Sequence, residues 1–198
     1  GNIRAFEREV VPNKGLGLIE HWWSNCQETA QLYTTADPKK RLKWGGPDLS
    51  ARTCITSRLM ETWSHSQAIY DELGIERVDG DRIKNIVQIG VQTFSWTFQN
   101  RGMPPPGPIP NLELTAPSGV LWRWHNAEST ERIVGTAGEF CQVVTQTRNI
   151  ADTQLQLDGA VAESWMAIAQ CFAGQPSDPP PPGERRRNTA RHDRRQNM

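Results

Sequence analysis

The spacing of apolar residues over the first half of the chain predicts three long helices. Apolar side chains recur every three or four positions in residues 16–36, 50–74 and 81–102, as on the buried face of an amphipathic helix. Proline or glycine marks the end of each segment, and Ser50 offers an N-cap to the second. With a shorter piece at residues 5–10, these segments predict most of an antiparallel helix bundle.

After residue 103 the period changes from helical to alternating. Alternating apolar and polar residues around 112–114 and 121–124 predict two strands joined by the turn Ala116-Pro117-Ser118-Gly119. The patterns that follow predict a strand near residues 132–134, a helix near 137–147, a strand near 153–157 and a closing helix at 161–172. These elements predict a small α+β module.

Residues 175–198 are rich in proline and arginine and lack apolar side chains to bury, so disorder is predicted for them. The predicted fold class is therefore α+β. A partial helix bundle occupies residues 1–102, the small α+β module occupies 103–174, and a disordered tail follows from 175 to 198.

Composition predicts a soluble, cytoplasmic protein. The chain has 198 residues with 36% hydrophobic content, and no apolar run approaches the length of a membrane span. Its four cysteines are scattered, which suits reduced thiols better than a disulfide framework. The net charge is zero, but residues 184–198 carry six Arg against two acidic residues, which leaves the body mildly acidic. An acidic body argues against a nucleic-acid partner, although the short basic tail leaves RNA association open.

Glu61 and His65 stand four positions apart on the second predicted helix. Residues at this spacing share one helix face, so a carboxylate oxygen and an imidazole nitrogen can converge on one cation. Taken alone, such a pair is more often a solvated surface pair than a metal site. The apolar stripe of this helix lies on its opposite face, so the pair faces either solvent or a cleft.

Five motifs occur in order along the chain: Ser50–Arg52, Arg58–His65, Leu112–Gly119, Phe140–Gln146 and Ile168–Gly174. Together they resemble actinobacterial metal-binding proteins related to mycothiol-dependent maleylpyruvate isomerase, whose N-terminal part has the DinB-type four-helix fold. Many such proteins also carry a C-terminal module compared with wyosine-forming tRNA enzymes. The resemblance covers nearly everything up to Gly174.

The resemblance implies a metal-dependent isomerase or S-transferase-like enzyme that uses a mycothiol-type thiol, with a small-molecule substrate and the thiol as partners. It implies that Glu61 and His65 hold a divalent metal ion, with zinc expected, together with a His on an earlier helix. That His would lie upstream of Gly1, as if the start of the chain were truncated. In such an enzyme the metal deprotonates the thiol, and the thiolate adds to the cis double bond of the substrate.

Several residues admit two interpretations. Arg148 is a candidate partner for a substrate carboxylate, or a surface Arg at a helix C-terminus. His21 is a candidate third ligand, or an edge-of-core residue. Cys54 shares the Glu61 face, yet no base is placed to activate it. Relatives often carry an acid where this chain has Ala68, which favours an alternative function: a non-catalytic metal- or ligand-binding helical protein without thiol chemistry.

Overall fold

The computed structural model describes residues 15–43 and 48–185. The chain divides after Ile55 into two compact units. In the first unit, helix α1 covers Leu16–Thr35, and strands β1 (Arg41–Leu42) and β2 (Leu49–Ser50) pair antiparallel. Helix α1 ends just before Asp37-Pro38, as the sequence predicts. No residue of α1 is buried.

Helix α2 covers Ala51–Leu73 and closely matches the predicted helix. At its start, the Ser50 hydroxyl accepts a hydrogen bond from the backbone N–H of Thr53 at 3.2 Å. At its end, Gly74 has φ +65°, and the N–H of Ile75 donates to the carbonyl of Tyr70 at 3.0 Å. Both predicted end signals are therefore used.

The third predicted helix is divided into three pieces. A 3₁₀ turn covers Asp81–Ile83, helix α3 covers Lys84–Gln92 and helix α4 covers Phe94–Gln99. Between α3 and α4, the hydroxyl of Thr93 donates toward the carbonyls of residues 89 and 90 at 2.9 and 3.0 Å, a contact that bends helices. The predicted DinB-like four-helix bundle is not confirmed.

The α+β class is confirmed by a four-stranded sheet in the second unit. Its strands are β3 (Asn111–Thr115), β4 (Leu121–Trp124), β5 (Arg132–Thr136) and β6 (Gln156–Asp158), in the spatial order β4-β3-β5-β6. Strand β3 pairs antiparallel with β4 and parallel with β5, and β5 pairs antiparallel with β6.

Two helices complete the second unit. Helix α5 covers Ala137–Val144, and helix α6 covers Ala160–Ile168. Helix α5 is shorter than predicted because Gln146 adopts a left-handed backbone conformation with φ +56°, which a helix cannot continue. The Thr136 hydroxyl caps the start of α5 by accepting from the N–H of Glu139 at 3.2 Å.

One hydrophobic core joins the sheet to helices from both sides of residue 102. The Trp165 ring of α6 meets Phe94 of α4 at 5.1 Å and Phe140 of α5 at 5.7 Å between centroids, both edge to face. Helices α3 and α5 pack so closely that a Cβ on Gly90 would lie 3.0 Å from the Phe140 ring. The core therefore holds α2 to α6 and the sheet in fixed positions around the site described below.

Residues 175–185 differ from the predicted disorder. The backbone of Ser177 is hydrogen bonded to two buried side chains, those of Gln146 and Gln170. Gly183 is bonded to Asp152 farther along the segment. A segment without apolar side chains is thus held by polar contacts of its backbone. The rest of the predicted disordered tail, residues 186–198, lies outside the described residues.

Trp165→Ala is expected to lower the free energy of unfolding of the second unit by about 3–5 kcal/mol, because Trp165 is 1% exposed and its removal leaves a cavity among three helices. Urea unfolding measures the change. The control is Val78→Ala, at a side chain 89% exposed, for which a change of about 0.5 kcal/mol or less is expected. Equal effects of the two substitutions would contradict this core.

Candidate functional site

A pocket of about 1130 Å³ lies in the second unit. Three segments line it: residues 60–72 of α2, residues 145–147 after α5, and residues 172–185. Glu61, His65 and Ala68 are among the residues of α2 that face it. The sequence-predicted pair therefore opens onto a cleft.

Glu61 and His65 lie in direct contact on the pocket wall. Nε2 of His65 is 3.3 Å from Oε2 of Glu61, and the two side chains are 85% and 40% exposed. A cation bonded to both atoms at about 2.1 Å in a tetrahedral site would separate them by about 3.4 Å. The observed separation therefore suits a shared cation as well as a direct ion pair, so the two donors fit a metal ion.

The described residues supply two donors at this place. Within residues 15–43 and 48–185, no group of three or more His, Cys, Asp or Glu side chains is arranged to hold a metal ion. His21, the candidate substitute ligand, lies on α1, where its Nε2 is 3.3 Å from Nδ2 of Asn25. The expected earlier His has no counterpart in the described residues, so it stays a prediction.

A neighbouring face of α2 fixes the direction in which this pair points. Met60, Trp63 and Gln67 are at most 5% exposed and form a buried stripe with helical spacing. Trp63 Nε1 donates to Asp79 at 2.7 Å, and the Arg77 guanidinium lies over the Trp63 ring at 4.6 Å. Because the stripe is anchored, the adjacent face of α2 is presented to the pocket.

Arg148 is held by Asp71 of α2. Its Nη1 donates to Oδ2 of Asp71 at 2.8 Å and its Nη2 donates to Oδ1, giving a bidentate pair whose side chains are 11% and 16% exposed. Nη1 also donates to the Thr147 carbonyl at 2.7 Å. Arg148 is absent from the residues that line the pocket. Its contacts tie α2 to the segment after α5, and its contact with a substrate carboxylate stays a prediction.

Gln67 brings an unpaired acceptor to the pocket wall. Its side chain is 5% exposed, and its Nε2 donates to Oδ1 of Asp71 at 3.0 Å. Its Oε1 is buried and has no hydrogen-bond partner in the part of the chain that the structure describes. An unpaired buried acceptor is costly, so a ligand that donates a hydrogen bond would be stabilised here.

Two further glutamines shape the pocket and were missed by sequence reasoning. Gln146 and Gln170 are 6% and 2% exposed, and both bind the backbone of Ser177. Each glutamine lies at the end of an apolar run in the sequence. A polar residue at such a position is predicted to be exposed to solvent. The one available signal was their position inside two of the five motifs, Phe140–Gln146 and Ile168–Gly174.

The thiols of Cys141 and Cys171 are held in their protonated form. Burial raises the pKa of the Cys171 thiol, and the negative charge of Glu61 adds to the shift. Burial also raises the pKa of Cys141 well above its usual value. Cys54 is buried as well and packs as a small hydrophobic residue. Neither Cys141 nor Cys171 is placed to act as a nucleophile.

Two uncharacterized proteins of Mycobacterium tuberculosis are similar to this chain: MT0041 of strain CDC 1551 and Rv0036c of strain H37Rv. Each is 38% identical over 146 residues, which cover 74% of this chain and 56% of the relative. The chain thus spans little more than half the length of these relatives. No family model matches the chain. No solved structure matches it either.

No helix among the described residues is long and apolar enough to cross a membrane. His125, a further histidine of the second unit, lines a second and smaller pocket of about 220 Å³ beside Arg123 and Arg132. That pocket contains neither Glu61 nor His65. The larger pocket is therefore the candidate functional site.

Arg148→Ala is expected to lower the free energy of unfolding by about 3 kcal/mol, because it leaves the largely buried Asp71 carboxylate without its partner. Arg132→Ala is the matched control. It removes an Arg–Asp pair whose side chains are 57% and 68% exposed, so about 0.5 kcal/mol or less is expected. Urea unfolding of both variants measures the difference, and equal losses would contradict the structural role of Arg148.

Cys141 and Cys171 are expected to resist alkylation by iodoacetamide in the folded protein, and to resist it equally at pH 7 and pH 9. A raised pKa keeps a thiol protonated as the pH rises past the value at which a free cysteine ionises, near 8.5. Peptide mass spectrometry measures the modified fraction, with Cys26, which is partly exposed, as the internal positive control. Alkylation of Cys171 that increases with pH in step with Cys26 would contradict its burial.

Proposed function

We propose that Glu61 and His65 are two ligands of a divalent metal ion, and that the pocket around them binds a small-molecule thiol together with its substrate. The observation that carries the proposal is the 3.3 Å approach of a carboxylate and an imidazole on the wall of a pocket of about 1130 Å³. A pocket of this volume is large enough to bind a small molecule. The family resemblance of the Arg58–His65 motif points to the same two residues.

The chain's own groups divide the work in this proposal. Glu61 contributes a negative charge, and His65 contributes a neutral nitrogen donor. The buried stripe of α2 holds both in register, and the Ser64 hydroxyl donates to the Glu61 backbone carbonyl at 3.1 Å. A metal ion bound there would supply Lewis acidity, which favours the thiolate form of a bound thiol at neutral pH. Cys141 and Cys171 stay protonated, so in this proposal the reactive sulfur belongs to the cosubstrate.

A second function is favoured by Gln67 and Ala68. Ala68 lines the pocket at the position where proteins of the family that the chain resembles often carry an acid. The buried Oε1 of Gln67 lacks a protein partner among the described residues. A pocket with an unpaired acceptor and without that acid suits a protein that binds a polar ligand and performs no thiol chemistry. Gln67→Leu separates the two functions, because it removes the acceptor and leaves Glu61 and His65 in place.

Metal analysis tests the proposed ligands. Protein equilibrated with zinc and then desalted is expected to retain the ion, and Glu61→Gln or His65→Ala is expected to weaken binding by about a hundredfold or more, since loss of even an outer-sphere partner costs 10–100-fold. Glu163→Gln, at an exposed helical carboxylate of α6, is the matched control and should retain metal. Equal zinc content in all four proteins would refute the assignment.

A thermal shift tests the second part of the proposal. A ligand that binds only the folded state raises the midpoint of thermal unfolding by mass action. Free cysteine is expected to raise the midpoint of zinc-loaded wild type and to leave that of His65→Ala unchanged. A shift of the same size in both proteins would place the thiol elsewhere, and metal retention without any shift would favour the second function.

A further inference from the structure

Residues 177–185, here named the strap, form one wall of the pocket, and its near end is fixed by a buried clamp. The N–H of Ser177 donates to Oε1 of Gln170 at 2.9 Å, and the Ser177 carbonyl accepts from Nε2 of Gln146 at 2.6 Å. Arg101 donates to the same carbonyl and pairs with Asp178 at 2.8 Å. Because Gln146 and Gln170 are almost fully buried, water competes less for the bonds that these two side chains make than for a solvent-exposed bond.

Several contacts hold the clamp in one conformation. Gln146 holds a left-handed backbone conformation, φ +56°, which is strained for a non-glycine residue. Its Nε2 also donates to the Ala169 carbonyl at 3.0 Å, and Nε2 of Gln170 donates to the Gln175 carbonyl at 3.1 Å. Strain of this kind persists where the surrounding contacts require it. The contacts here converge on Ser177.

The far end of the strap is attached differently. The N–H of Gly183 donates to both carboxylate oxygens of Asp152 at 2.9 Å, in a solvent-exposed contact. Between the ends, the Pro180 carbonyl accepts from Nδ2 of Asn149 at 2.9 Å. An exposed hydrogen bond competes with water, so this end opens more easily than the clamp.

Four consecutive prolines, Pro179–Pro182, connect the two ends. Proline fixes φ, and a run of prolines forms a stiff extended rod rather than a flexible loop. A stiff rod that is held firmly at one end and by fewer contacts farther along moves by rotating about the firm end. The strap therefore has a hinge at Ser177, a stiff proline segment that acts as a lever, and a latch at the Asp152–Gly183 contact.

We propose that the strap is a hinged wall of the pocket, which pivots at Ser177 and opens when the Asp152–Gly183 and Asn149–Pro180 contacts break, so that it controls access to Glu61 and His65. Gln146 and Gln170 are positioning residues, because they hold Ser177 in place and take no part in a reaction themselves. The inference concerns access to the pocket and goes beyond the proposed metal and thiol chemistry. It stands whether or not a metal ion binds.

Accessibility of a cysteine placed in the pocket tests the hinge. Thr147 lines the pocket and is 5% exposed, so Thr147→Cys gives a reporter thiol that the closed wall protects. The reporter is labelled with a bulky maleimide dye and quantified by peptide mass spectrometry. Asp152→Ala is expected to increase its labelling rate roughly tenfold, because the latch loses hydrogen bonds to a charged group. Asp158→Ala, at another exposed aspartate, is the matched control and should leave the rate unchanged.

The completely buried Cys141 reports global unfolding in the same samples. It should stay unlabelled when the strap alone opens. An unchanged Thr147→Cys rate in Asp152→Ala would overturn the proposal, as would an increase matched by Cys141. Metal content is measured separately, so loss of the metal site and failure of the hinge give different results.

Hydrogen exchange tests the asymmetry of the two attachments. The Gly183 amide is expected to exchange faster in Asp152→Ala, while the Ser177 amide keeps its protection. Gln170→Leu is expected to release both amides, because it removes the acceptor at the pivot. If Asp152→Ala exposes Ser177 and Gly183 equally, the strap detaches as one piece and the pivot is refuted.

Discussion

The pocket depends on the bidentate contact between Arg148 and Asp71. This contact joins the C-terminal half of α2 to the segment that follows α5, and these are two of the three walls of the pocket. Arg148 also donates its backbone N–H to the Gln142 carbonyl at 3.2 Å, so the guanidinium is fixed to the end of α5. A buried pair costs desolvation energy, and its value lies in fixing one geometry rather than in net stability. In this protein the Arg148–Asp71 contact sets the distance between two walls of the pocket, and a ligand must fit within that distance.

The same segment connects the ion pair to the third wall. Gln146 stands two residues before Arg148, and its left-handed backbone directs its side chain to Ser177 of the strap. The helix, the turn after α5 and the strap are thus joined through one short stretch of chain. A change at Asp71 or Arg148 would therefore affect the position of the strap as well as that of α2. The walls of the pocket are coupled because they share this stretch.

Local features of this fold could be predicted from the sequence, whereas contacts between distant segments could not. The cap at Ser50, the stop at Gly74 and the turn at residues 116–119 depend on neighbouring residues, and all three are used. Glu61 and His65 meet because helix geometry alone brings positions four apart together.

The break at Thr93 was missed because it depends on a hydroxyl that bonds its own helix instead of solvent. The contacts of residues 175–185 were not predicted because Gln146 and Gln170 are polar residues that were expected to be exposed, and Gln146 lies 31 residues before Ser177. Arg148 is the clearest example. Its positive charge predicted that it would bind a substrate carboxylate, but the carboxylate that it contacts belongs to α2.

The exposure of His65 links the proposed metal site to the strap. A cation held by a side chain that is 85% exposed would sit in a high dielectric, where its influence on a bound thiol is weak. Excluding water from the pocket strengthens every electrostatic interaction inside it. The strap is the wall whose movement changes how much water the pocket admits, and its weak end lies away from the buried core. Closure and activation of a thiol would then be one event: the same movement that encloses a ligand would lower the dielectric around Glu61 and His65.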